Sequence, residues 1–141
     1  MSFQNTFEAV LNELEYQVLK WGEQHHPIGN SFTEFHKVVI AATRAADKAA
    51  RDGTLTWYEI LREEFYEAFA EEENSYVVNE LVQIIAVCFS IIRDIEQTDG
   101  IDYAKQLPNR AEIYRKALRE KTVGNLRKRS GSTQTSDSED Y

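Results

Sequence analysis

Two stretches of this chain place acidic side chains where a packing helix should be apolar, and only a very short connection separates the helices that carry them. The first reads Leu61-Arg62-Glu63-Glu64-Phe65-Tyr66-Glu67-Ala68-Phe69 and the second Asn79-Glu80-Leu81-Val82-Gln83-Ile84-Ile85-Ala86-Val87. Glu64 and Glu67 stand three residues apart, as do Glu80 and Gln83. On a helix that spacing stacks both members of a pair on one stripe. A short connection folds two such helices back into an antiparallel hairpin. Carboxylates gathered there repel one another: two unit charges ~4 Å apart cost roughly 4 kcal/mol at an effective dielectric of ~20. A divalent cation between them removes that cost, so the pattern points to a metal site built from two facing helices.

Regular helical structure is expected through most of the chain. Its 141 residues are enough for one domain with a real core. Only 6 glycines and 2 prolines interrupt it, strong helix formers abound, and strand-like alternation is hard to find. The formal charge of −8 argues against direct nucleic-acid binding. It leaves room for a phosphorylated substrate, because bound cations invert the local field. Cys88 is the single cysteine, so no internal disulfide can form, and its place in an apolar stretch suits a small buried hydrophobe in a reducing compartment. The N-terminus lacks the basic start and apolar block of a signal peptide, and no apolar run looks long enough for a membrane span. A cytoplasmic protein with no membrane partner is the expectation.

Five helical regions can be drawn. The first runs from about Thr6 to Glu23, with Phe7, Val10, Leu11, Leu14, Val18 and Trp21 recurring at three- and four-residue steps. Ser31 with Glu34 makes a capping box for a second helix to about Arg51, whose packing side is Phe35, Val38, Val39, Ala42, Ala45, Ala46 and Ala49. Asp52-Gly53 ends it. Thr56 with Glu59 is another capping box, opening the helix from Trp57 to about Glu72 that carries the first acidic pair. Asn74-Ser75 is expected to cap the helix from Tyr76 to about Gln97 that carries the second. That helix is apolar nearly all round between Leu81 and Ile92, which fits the centre of a bundle or a face toward a partner subunit. A basic region from about Ile101 to Val123 is interrupted near Pro108. From Gly124 the text turns Ser- and Thr-rich without apolar period, as in a disordered tail. The expected organisation is therefore an all-α bundle of four or five helices over residues 1–123, built around the Trp57–Gln97 hairpin, followed by a tail over 124–141.

At this point the chain resembles a known family. Glu63-Glu64-x-x-Glu67 followed on the next helix by Glu80-Leu81-x-x looks like the MazG-like nucleoside triphosphate pyrophosphohydrolases, all-α relatives of dimeric dUTPases and phosphoribosyl-ATP pyrophosphatases. Gln17-x-x-Lys20-Trp21-Gly22-Glu23-Gln24, and the run from Gly53 through Thr56-Trp57 to Glu64, are similar to short actinobacterial and phage members. The likeness covers about residues 10 to 97. It implies that Glu64, Glu67 and Glu80 are ligands for Mg²⁺ or Mn²⁺, with Gln83 standing where the family pattern has Asp. The amide of Gln83 can offer an oxygen to a hard cation but adds no charge. Glu63 and Glu64 are the implied catalytic acids, Glu63 as an outer ligand or a general base.

The resemblance further implies cleavage between the α and β phosphates of a (deoxy)nucleoside triphosphate, a purine such as dGTP or dATP being favoured, to the monophosphate and pyrophosphate. Homodimers or homotetramers are the implied assemblies. For substrate binding the candidates are Gln17, Trp21, Arg44 and Lys48. Trp21 either stacks on a base, with Gln17 or Gln24 reading its edge, or anchors the first helix. Arg44, Lys48 and Arg51 face either phosphates or solvent. Two alternatives stay open: a dUTP or phosphoribosyl-ATP pyrophosphatase, and a non-catalytic helical interaction or nucleotide-binding module.

Overall fold

The computed structural model describes residues 2–131, and every regular element among them is helical. The elements are α1 (Phe3–Trp21), α2 (Phe32–Asp52), α3 (Trp57–Ala70), α4 (Asn74–Asp99), the single turn α5 (Tyr103–Gln106) and α6 (Arg110–Gly131). The chain divides into two compact units. One takes residues 2–6 and 25–105, the other residues 7–24 and 106–131.

In the first unit the local signals act as their chemistry dictates. Ser31 Oγ accepts from the Glu34 backbone N–H at 3.2 Å and so starts α2, but the reciprocal half of the expected capping box is replaced: the Ser31 backbone N–H donates to the Phe69 carbonyl at 2.8 Å. Gly53 stops it at φ 70°, donating back to the carbonyls of Ala49 and Ala50; a side chain there would strain this left-handed turn. The Thr56 and Glu59 capping box is present in both directions and starts α3. The small residues bring helices together. Ala42 and Ala46 on α2 and Ala68 on α3 are buried, and Phe35 lies against Tyr66 and Phe69 with ring centroids 6.4 and 6.1 Å apart. The expected packing side of α2 is thus its buried or half-buried side.

Three expectations are corrected. Glu73, not Asn74 or Ser75, is the N-cap of α4, and it makes no side-chain capping bond. Three residues complete the reversal from α3, so Asn74 already lies in the first helical turn. In the first unit α3, not α4, is the helix packed on two neighbours, α2 and α4. This corrects the bundle-centre alternative for α4 and leaves the other, a face toward a partner subunit. α4 instead leaves Val78, Val82 and Ile85 exposed along one stripe. Finally, α4 is by length and composition long and apolar enough to cross a membrane. Glu80, Gln83 and Arg93 break its text into shorter apolar runs, which hid this in the sequence.

At its far end α4 turns on Gly100 at φ 68°. The buried Glu96 side chain then accepts from the Ala104 backbone N–H at 2.8 Å and fastens α5. Phe3 lies against Phe89, and Asn5 Nδ2 donates to Asp102 Oδ2 at 2.6 Å, which ties down the first turn of α1.

The second unit centres on Tyr16, its buried aromatic. Tyr114 meets it edge-on at 5.9 Å, and the Arg110 guanidinium lies 3.9 Å over its ring. Arg110 also pairs with Glu13 at 3.1 Å, and Arg115 pairs with Glu15. None of the periodic residues Phe7, Val10, Leu11, Leu14, Val18 and Trp21 is buried, although their spacing marked them as a packing side. Helical periodicity identifies a face, not what covers it. α6 continues helical through 124–131, where the composition suggested a tail, because Asn125-Leu126-Arg127-Lys128-Arg129 contains good helix formers. The rest of that expected tail, 132–141, lies outside the described residues.

Candidate metal centre

The α3–α4 hairpin brings the acids together. Glu64 and Glu67 lie one turn apart on α3, and Glu80 faces them from α4. One carboxylate oxygen from each falls within 4.8 Å of the other two, and all three residues are half-buried. One oxygen of Glu64 and one of Glu80 are buried without a hydrogen-bond partner. A buried acceptor left unpaired costs ~1–3 kcal/mol, more when charged. Negative charges at ~4.8 Å add roughly 3 kcal/mol of repulsion per pair at an effective dielectric of ~20.

That strain appears in the acids. Burial, then the charges of Glu80 and Glu63, holds the Glu64 pKa above the usual carboxylate range. Burial, then the charges of Glu64, Glu63, Glu80 and Glu71, pushes Glu67 up to about 7. Three hard oxygen donors converging with two orphaned lone-pair sites fit a divalent cation such as Mg²⁺ or Mn²⁺. The donor set lacks the thiolates and imidazoles a softer metal prefers.

Gln83, one turn beyond Glu80, is exposed. Glu63 is half-buried on α3, and Thr43 Oγ1 of α2 donates to its Oε1 at 3.3 Å. Sequence reasoning missed Thr43, although a hydroxyl inside an alanine stripe was the available signal. It missed Asp94 as well, whose Oδ2 accepts from Trp57 Nε1 at 2.7 Å and ties the start of α3 to α4.

The other candidates fall in two places. On α2 of the first unit, Arg44 is exposed, and Lys48 Nζ is paired 2.5 Å from Asp52 Oδ2. In the second unit, Gln17 and Trp21 line one concavity of about 530 Å³ with Leu14, Val18, Glu23 and Gln24. Lys20 Nζ stands 4.8 Å from the Trp21 ring, and Gln17 Nε2 donates to Glu13 at 3.1 Å. An indole face beside amides and a carboxylate has the chemistry to stack a flat heterocycle and bind its polar edge.

Compared with protein-family models, curated proteins and solved structures, the chain matches none.

Proposed function

We propose that this chain is a divalent-cation-dependent nucleoside triphosphate pyrophosphohydrolase of the MazG-like kind, acting in the cytoplasmic nucleotide pool on a purine deoxynucleotide such as dGTP or dATP. The observation that carries this is the meeting of Glu64, Glu67 and Glu80 within 4.8 Å, with two of their oxygens buried and unpartnered. When bound there, Mg²⁺ or Mn²⁺ supplies charge neutralisation for the triphosphate and polarisation at its α-phosphate.

The residues divide the remaining work. Glu64, Glu67 and Glu80 hold the cation. Glu63 accepts a proton from water as the water oxygen bonds to the α-phosphorus. The bond from that phosphorus to the α–β bridging oxygen breaks, and pyrophosphate leaves with the electron pair, so the products are a nucleoside monophosphate and pyrophosphate. Trp21 and Gln17 line a concavity of the second unit whose chemistry suits a base. Between Arg44 and Lys48 on α2, Arg44 is the better candidate for phosphate, because Lys48 is engaged by Asp52. The exposed stripe of Val78, Val82 and Ile85 is covered by a second copy of the chain, in a homodimer or homotetramer.

The test is pyrophosphate release from a panel of nucleoside triphosphates with Mg²⁺ or Mn²⁺. Purine deoxynucleotides should lead, and Glu80→Gln should abolish turnover while helix content stays. Faster turnover of dUTP or phosphoribosyl-ATP would reassign the substrate. No product from any of them at high enzyme would end the catalytic reading. One observation favours a second reading, a nucleotide-binding module without turnover: Gln83 adds no charge, leaving the cluster at three carboxylates. Nucleotide with Mn²⁺ would then raise the melting midpoint with no product formed.

A further inference from the structure

Hydroxyls within these helices use their donors in two ways. Ser90 donates to the Ala86 carbonyl at 3.0 Å and Thr122 to the Leu118 carbonyl at 3.0 Å, each one turn back along its own helix. That is the common habit of Ser and Thr in helix interiors. Thr43 instead donates across from α2 to Glu63 Oε1 on α3. It can reach because it sits beside Ala42 and Ala46, whose small side chains are buried where α2 meets α3. Glu63 itself lies close enough to the clustered acids for its charge to be felt at both Glu64 and Glu67.

We infer that Thr43 is a positioning residue: from α2 it fixes the Glu63 carboxylate beside the three clustered acids, in the orientation from which it takes the proton of the attacking water. This rests on the pyrophosphohydrolase reading above. Oε1 accepts from the hydroxyl, and the carboxylate keeps lone pairs free to receive the proton while the water oxygen bonds to the α-phosphorus and pyrophosphate departs. A donor anchored on a packed helix restricts the rotamers of a long, flexible glutamate, which is what a general base requires.

The experiment compares wild type, Thr43→Val, Thr43→Ser, Glu63→Gln and the Thr43→Val/Glu63→Gln double variant. Each is measured by steady-state kinetics with Mn²⁺ and dGTP or the best triphosphate of the panel, by Mn²⁺ binding through water-proton relaxation, and by thermal melting. A positioned base contributes ~10²- to 10⁴-fold, so losing its alignment should lower kcat about tenfold in Thr43→Val. KM and Mn²⁺ binding should be unchanged, Thr43→Ser should restore the rate, and the double variant should be no slower than Glu63→Gln. Full kcat in Thr43→Val overturns the inference, as do losses that multiply in the double variant. Loss of Mn²⁺ binding together with kcat also overturns it, by showing that Thr43 shapes the cluster as a whole. A wild type that releases no pyrophosphate from any nucleoside triphosphate overturns the parent reading, and this inference with it.

Discussion

Neutralising Glu67 should stabilise the cation-free protein at neutral pH and weaken it when the cation is present. Burial and the neighbouring acids lift the Glu67 pKa from 4.5 to about 7, whereas in the unfolded chain the group returns to its ordinary value. Between those two values the native state binds more protons than the unfolded state. Stability therefore falls as pH rises from about 4.5 to about 7, and this contribution levels off beyond. At ~1.36 kcal/mol per pH unit the full interval corresponds to ~3 kcal/mol. Glu67 is only partly buried, and solvent screening reduces this to about 1–2 kcal/mol.

Glu67→Gln keeps the shape and removes the charge. At pH 8 in EDTA it should be more stable than wild type by about 1–2 kcal/mol, with the gap shrinking toward pH 5. With Mn²⁺ at about a hundred times its Kd, wild type should gain about 2.7 kcal/mol that the variant does not, and the order should invert. Urea unfolding followed by far-UV circular dichroism, at fixed protein concentration and at pH 5, 6.5 and 8, measures both effects. Equal stability of the two proteins at pH 8 in EDTA would refute the stored repulsion. An order indifferent to Mn²⁺ would refute the cation site.

Thr56→Ala removes the hydroxyl half of the α3 capping box and should cost about 1 kcal/mol in the same urea assay. Ala42→Leu forces a larger side chain between α2 and α3 at a residue only 1% exposed, and a loss of about 1–3 kcal/mol is expected. Replacing Val82 and Ile85 by Lys should shift sedimentation equilibrium toward monomer with helix content unchanged, since both side chains are exposed on the same stripe of α4. A wild type that is already monomeric would remove the basis for that assembly.

Much was decided by the sequence alone, because the relevant forces act over a few residues. Ser31 with Glu34, Gly53, and Thr56 with Glu59 begin and end helices through bonds to backbone groups within one turn. The spacing of Glu64 and Glu67, together with a three-residue reversal before α4, obliges the acids of two helices to share a side. What could not be read locally depended on which surfaces meet. The stripes of α1 and α4 have the period of buried faces, yet they remain exposed in the single chain, because periodicity carries no information about the covering partner. The bond from Thr43 to Glu63 joins residues twenty positions apart and exists only because alanines let α2 approach α3. The burial that raises the pKa of Glu67 and orphans one oxygen each on Glu64 and Glu80 is likewise a property of the packed hairpin. Sequence supplied the charges and their helical phase; tertiary packing supplied the dehydration that gives those charges their energy.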